Sequence, residues 1–125
     1  MEKINTQKAP APVGPYSQAI VEGNLIFCSG QAALNPQTGK IETDSVADQT
    51  KITLLNLESV LQEAGSGLQN VIKCNVYLAD MEDFQEMNQV YEEMFAPHKP
   101  ARTTIEAARL PLDAKVEIEC VAKKP

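Results

Sequence analysis

Two periodicities divide the chain. Across residues 46–64, Val46, Thr50, Thr53, Leu54, Leu57, Val60, Leu61 and Ala64 recur at the spacing that lines one face of an α-helix. Ser45 with Asp48 forms a capping pair at its start, and Gly65 is a natural stop. A second helical stripe runs through Phe84, Met87, Asn88, Tyr91, Met94 and Phe95, with Asp80 as its cap and Pro97 as its limit. Asn88 is its one polar member. Elsewhere the period is two. Residues 71–78 alternate, which predicts Ile72, Cys74, Val76 and Leu78 on one face of a strand and Val71, Lys73, Asn75 and Tyr77 on the other. Residues 16–21 and 25–29 read as strands joined by a tight turn at Glu22-Gly23-Asn24, where Gly and Asn can supply positive φ. Residues 102–107 and 115–122 read as two more strands, and a short one is expected near residues 3–5. Pro10, Pro12, Gly14 and Pro15 favour an extended arm and a turn, and residues 35–39 a loop.

This order of elements predicts a single α+β domain over residues 1–125, with both helices covering one face of a mixed sheet. The other face then needs cover. Leu25, Ile26, Phe27 and Cys28 are apolar at successive positions, so both faces of that strand call for burial, and no further helix is available to supply it. A homo-oligomer is the economical solution.

Charge narrows the partners. The 17 acidic against 11 basic side chains leave a net charge of −6, which repels phosphate backbones and makes nucleic acid a poor default partner. No run approaches the roughly 20 apolar residues of a membrane span, and the N-terminal stretch carries charges and prolines where a signal peptide needs a continuous apolar segment. A cytoplasmic protein is expected. Cys28, Cys74 and Cys120 lie in apolar, strand-like stretches and read as buried reduced thiols; their even spacing comes with no other sign of a repeat. His98 is the only histidine and the glycines are scattered, so neither a clustered metal site nor a phosphate-binding loop is expected, and no cofactor is called for. Between Pro97 and Lys99, His98 reads as an exposed or locally packed imidazole.

A few polar residues remain at places that a plain core would not choose. Arg102, one of two arginines beside nine lysines, opens a strand and shares a face with Thr104 and Glu106. It reads either as a surface salt bridge or as a planar fork for a carboxylate ligand. Glu117 and Glu119 lie together on one face of the last strand, either solvated or lining a cleft where a carboxylate handles water and protons. Asn88 reads as a satisfied amide or a ligand group, and Tyr16 as a packed aromatic or a site residue.

The segments GPYSQA at 14–19, NLIFCSGQ at 24–31, MNQVYEEMF at 87–95, and KPARTTIEAARLP followed by KVEIECVA together resemble the YjgF/RidA family of reactive-intermediate (enamine/imine) deaminases over nearly the whole length. The resemblance implies a chorismate-mutase-like α+β fold and a homotrimer with clefts between neighbouring subunits. For the arginine-bearing subgroup it implies cofactor-free hydrolysis of 2-imino acids and their enamine tautomers, such as 2-iminobutanoate, 2-iminopropanoate and 2-aminoacrylate, to 2-oxo acids and ammonia. Carried over, Arg102 pairs with the substrate carboxylate and Glu117 holds the attacking water, with Tyr16, Ser29, Gly30, Asn88 and Thr104 at pocket positions. Thr104 stands where many relatives carry a cysteine; imine hydrolysis needs no thiol, so this departure leaves the deaminase expectation intact and makes thiol-dependent behaviour doubtful. Two other readings stay open: a regulatory trimer that binds small carboxylates without turnover, and a ribonuclease or translation inhibitor, which sits badly with the acidic balance.

Overall fold

The computed structural model describes residues 1–125. Ser45 caps helix α1 (Val46–Glu63), its Oγ accepting from the Asp48 N–H at 3.1 Å. The helix ends in a paired turn: Gly65 N–H donates to Gln62 O and Ser66 N–H to Leu61 O, with Gly65 at φ 81°. The strands are β1 (Glu2–Ile4), β2 (Ala19–Glu22), β3 (Leu25–Gln31), β4 (Val71–Leu78), β5 (Ala101–Glu106) and β6 (Val116–Lys123). They form one sheet of order β1-β2-β3-β6-β4-β5. Only β4 and β5 run parallel, and the chain between them includes helix α2 (Phe84–Phe95), the kind of crossover that a parallel pair requires.

Both helices pack on one face of this mixed sheet, as expected. Leu54, Leu57 and Leu61 of α1 and Met87 of α2 are fully buried with Ile26, Val76, Leu78 and Ile118 of the sheet. Each such side chain contributes roughly 1.5–3 kcal/mol relative to exposure. The cysteines fall into the same layer. Cys28 pairs with Cys120 and Cys120 with Cys74, so the even spacing in sequence becomes one row of three free, buried thiols across β3, β6 and β4. Arg102 is the next residue in that row, opposite Cys74 on the edge strand β5.

Three local expectations need correction. The register of β4 slips between Val71 and Lys73, and this bulge buries Val71 (2% exposed) while turning Ile72 outward (46%), the reverse of strict alternation. The strand expected from residue 16 starts at Ala19, because the Tyr16 N–H turns back to Gly14 O. Asp80 caps a 3₁₀ turn, Met81–Asp83, ahead of α2 rather than the helix itself, accepting from the Glu82 N–H at 2.9 Å. In the β2–β3 hairpin Gly23 alone takes positive φ (61°), the sign pattern of a type II′ turn.

Loops around the sheet are pinned by buried amides. Gln18 Oε1 accepts from the Thr6 N–H at 2.7 Å, and its Nε2 donates to the carbonyls of Thr6 and Pro10 at 3.1 and 2.9 Å. Asn56 Nδ2 holds the carbonyls of Ala32 and Leu34, each at 3.0 Å. Gln49 Oε1 accepts from the Lys115 N–H at 2.9 Å. Gln18→Leu keeps most of the volume and strands these arm groups without partners. The expected cost is roughly 2 kcal/mol or more in urea unfolding, with faster amide exchange across the N-terminal arm.

Candidate functional site

The row that ends at Arg102 places its guanidinium on the helix-covered side of β5, under α2. Nη1 donates to Asn88 Oδ1 at 2.7 Å, and the guanidinium carbon lies 4.8 Å from the Tyr91 ring centre and 5.5 Å from that of Phe84. Asn88 and Tyr91 are one helical turn apart, so α2 offers a hydrogen-bond acceptor and a stacking face together. Arg102 makes no salt bridge. Arg109, the other arginine, is neutralised by Asp113 at 2.9 Å. The expectation of a surface ion pair therefore fails at Arg102 and describes Arg109 instead. The Arg102 side chain borders a cleft of about 860 Å³ that also includes Asn88, Tyr91, Glu92, His98 and Lys99. Thr104 follows on the same face, and its Oγ1 is buried without a hydrogen-bond partner. His98 is locally packed: its Nε2 lies 2.6 Å from Val71 O and so carries the hydrogen.

Glu117 is built from the other side. Val116, Ile118 and Cys120 of β6 face the helices, so Glu117 and Glu119 project from the face that no helix covers. Register between β3 and β6 slips between Cys28 and Gln31, which sets Ser29 and Gly30 in a bulge. A Cβ built on Gly30 would stand 2.6 Å from Glu117 Oε2, so the glycine is what lets the carboxylate lie across the β3 backbone. Burial, reinforced by the nearby Glu119, pushes the Glu117 carboxyl above its ordinary range. No protein group hydrogen-bonds to it, whereas Glu119 accepts from Tyr77 Oη at 2.9 Å and from Asn75 Nδ2 at 3.4 Å. A second cavity of about 440 Å³ is lined by Glu117, Gly30, Tyr16, Gln31 and Leu112 together with the arm residues Pro10, Ala11 and Val13. The Tyr16 hydroxyl accepts from the Val13 N–H at 3.3 Å, and the residue is half-exposed at the cavity wall. Ser29 lines neither cavity; its hydroxyl donates to Ser17 O at 2.6 Å and ties β3 to the arm.

The residues singled out in the sequence thus fall into two groups on opposite faces of one sheet: Arg102, Asn88 and Thr104 under α2, and Glu117, Gly30 and Tyr16 on the far side. A single small ligand cannot touch both within one chain. Phe84, Tyr91 and Leu112 were missed as residues around the site. Phe84 and Tyr91 lie on the apolar stripe and read as core; their only signal is the helical spacing that stacks Tyr91 one turn beyond Asn88. Leu112 is exposed at φ 59°, a conformation that side-chain periodicity does not report.

The family model described as Endoribonuclease L-PSP matches residues 6–124. A RutC family protein of Pyrococcus abyssi is 49% identical over 123 residues, covering 98% of this chain and 97% of its own. Reactive Intermediate Deaminase A of Arabidopsis thaliana, a chloroplastic protein, is 47% identical over 121 residues, covering 97% of this chain and 65% of its own. Among solved structures, Escherichia coli TdcF with bound serine superposes with a TM-score of 0.95 at 39% identity, covering 100% of both chains. RidA from an Antarctic Psychrobacter gives 0.95 at 36%, covering 98% of this chain and 99% of its own.

The contact at Gly30 is with the far end of a flexible side chain, so Gly30→Ala is expected to fold, with a stability change within about 1 kcal/mol. Glu117 has to swing away from the added methyl, and its carboxyl should titrate closer to the ordinary value, read by carbon NMR of the labelled side chain.

Proposed function

The chain belongs to the YjgF/RidA family, which the Endoribonuclease L-PSP model describes, and from that premise we propose that it is a reactive-intermediate deaminase that hydrolyses small 2-imino acids, and the enamines that tautomerise to them, to 2-oxo acids and ammonia. The observation that carries the reading is the unneutralised Arg102 guanidinium, held at one edge by Asn88, backed by Tyr91 and bordering an open cleft. That is the arrangement a carboxylate ligand needs, because a planar fork takes two carboxylate oxygens at once.

The second half of the site is supplied by a neighbouring copy. On the helix-free face Ile20, Phe27 and Val121 form one apolar row across β2, β3 and β6, with Phe27 46% exposed. Covering that row with further copies removes it from water, and closed rings are the ordinary way to do so. A homotrimer, with each cleft joining the Arg102 side of one subunit to the Glu117 side of the next, accounts for both the apolar row and the divided site.

In that cleft Arg102 fixes the carboxylate and with it the imine carbon, which replaces a random encounter with water by an oriented one. Glu117 accepts a proton from water as the C–O bond forms on the protonated imine, giving the neutral tetrahedral carbinolamine. It passes that proton to nitrogen as the C–N bond breaks, and the carbinol O–H gives up its own proton to solvent, so one water is consumed and one ammonia leaves for each 2-oxo acid formed. The raised Glu117 carboxyl suits both transfers, since its proton affinity lies nearer neutrality than that of a solvated carboxylate. Thr104 lies on the Arg102 side of β5 with its hydroxyl buried and unpaired, but it does not line the cleft.

A carboxylate-binding regulator would use the same half-sites, and the serine bound to TdcF favours a binding reading to that extent. Turnover decides between them. With 2-aminoacrylate generated by a serine dehydratase, added protein should speed its conversion to pyruvate; no acceleration at any concentration rules out the deaminase reading for this substrate. Arg102→Lys keeps the charge and loses the fork, and kcat/KM is expected to fall on the order of 10-fold or more.

A further inference from the structure

Glu119 has no part in the chemistry proposed above, yet it is better fastened than Glu117. The two project from the same face of β6 on successive rungs, with Tyr77 of β4 directly opposite Glu117 and Asn75 directly opposite Glu119. Tyr77 reaches diagonally past its own partner to donate to Glu119 Oε1 at 2.9 Å, while Asn75 donates to Oε2 at 3.4 Å. Each Glu119 oxygen therefore has its own donor, and the carboxylate is kept from turning away into solvent. The Tyr77 phenol is held in its protonated, donating form chiefly by that same bond to Glu119.

We propose that Glu119 is a positioning residue that acts through Glu117: Tyr77 and Asn75 lock its negative charge one rung away, and that charge keeps Glu117 a stronger proton acceptor than a lone carboxylate. The inference rests on the reading of Glu117 as the residue that handles protons, and it adds the device that tunes it. Within one chain the surroundings leave this pair unbalanced. The titratable groups near Glu117 are Glu119 on its own strand, Tyr77 across on β4 and Tyr16 in the cavity wall; Lys115 precedes the strand and Lys73 stands opposite Val121, beyond Glu119. Within one chain no lysine or arginine lines the Glu117 cavity to offset Glu119, and in the proposed shared cleft the cation facing Glu117 is the neighbouring copy's Arg102, across the substrate space. Burial acts on Glu117 in the same direction as its neighbour's charge, so the two effects add.

The test is a carbon NMR titration of the Glu117 carboxyl in the full-length protein, beside Glu119→Gln and Tyr77→Phe. Glu119→Gln keeps the shape and removes the charge, and should lower the Glu117 midpoint by about half a pH unit or more. Tyr77→Phe frees Glu119 and should give a smaller shift of the same sign. The acid limb of the deaminase pH profile should move with the midpoint. A Glu117 midpoint unchanged in Glu119→Gln, with the amide spectrum showing a native fold, overturns the proposal. Because the titration needs no substrate, a shifted midpoint without any turnover would sink the deaminase reading and leave the tuning intact.

Discussion

The two-residue period of a β-strand is the constraint from which the rest of this molecule follows. On β6 the even-numbered side chains Val116, Ile118 and Cys120 are committed to the core beneath the helices, so Glu117 must point the other way. On β5 the register with β4 sets Arg102 opposite the buried Cys74 and so turns it toward α2. No adjustment of a loop brings the two together, because a one-residue slip would expose the core row of either strand. A site that needs both a guanidinium and a carboxylate has to be completed from outside the chain.

Each half-site is electrostatically unfinished. Arg102 is partly withdrawn from water, has one side-chain acceptor in Asn88 and no counter-charge. Glu117 is partly buried, lacks a donor and faces a second carboxylate nearby. Such groups are costly to a fold that does nothing with them. In the proposed reaction a substrate carboxylate would compensate the first, and a water molecule with its proton in transit would compensate the second. The buried amides Gln18 and Asn56 and the glycine at position 30 matter for the same reason: they fix the arm, the 32–34 loop and the β3 bulge that hold the Glu117 cavity open.

Most of the fold was legible because hydrophobic period and capping agree: Ser45, the α1 stripe and Gly65 name one helix, and the alternation in β6 names one strand. Legibility failed where backbone geometry breaks the period. The β4 bulge exchanges Val71 for Ile72, and the turn at Gly14 and Tyr16 delays β2; neither carries a local signature beyond the residues that happen to fill it. For the site, the sequence pointed to Arg102, Glu117, Gly30 and Asn88 mainly through a family resemblance, since an isolated arginine on a strand is more often a salt bridge. Tyr91 was hidden because stacking under a guanidinium and packing in a core call for the same residue type at the same helical position. The row of cysteines was equally hidden, because register between β3, β6 and β4 is a property of the sheet rather than of any segment.

The claim that one site is shared between neighbouring copies is tested most directly by subunit mixing. Arg102→Lys and Glu117→Gln are each expected to lose most deaminase activity as pure proteins. In the proposed trimer, unfolding them together in equal amounts and refolding would give mixed rings in which some clefts pair an intact Arg102 with an intact Glu117, and activity should return to about a quarter of the wild-type value for random assembly. A mixture that stays as inactive as its components, while native mass spectrometry shows mixed rings, would contradict a site divided between chains.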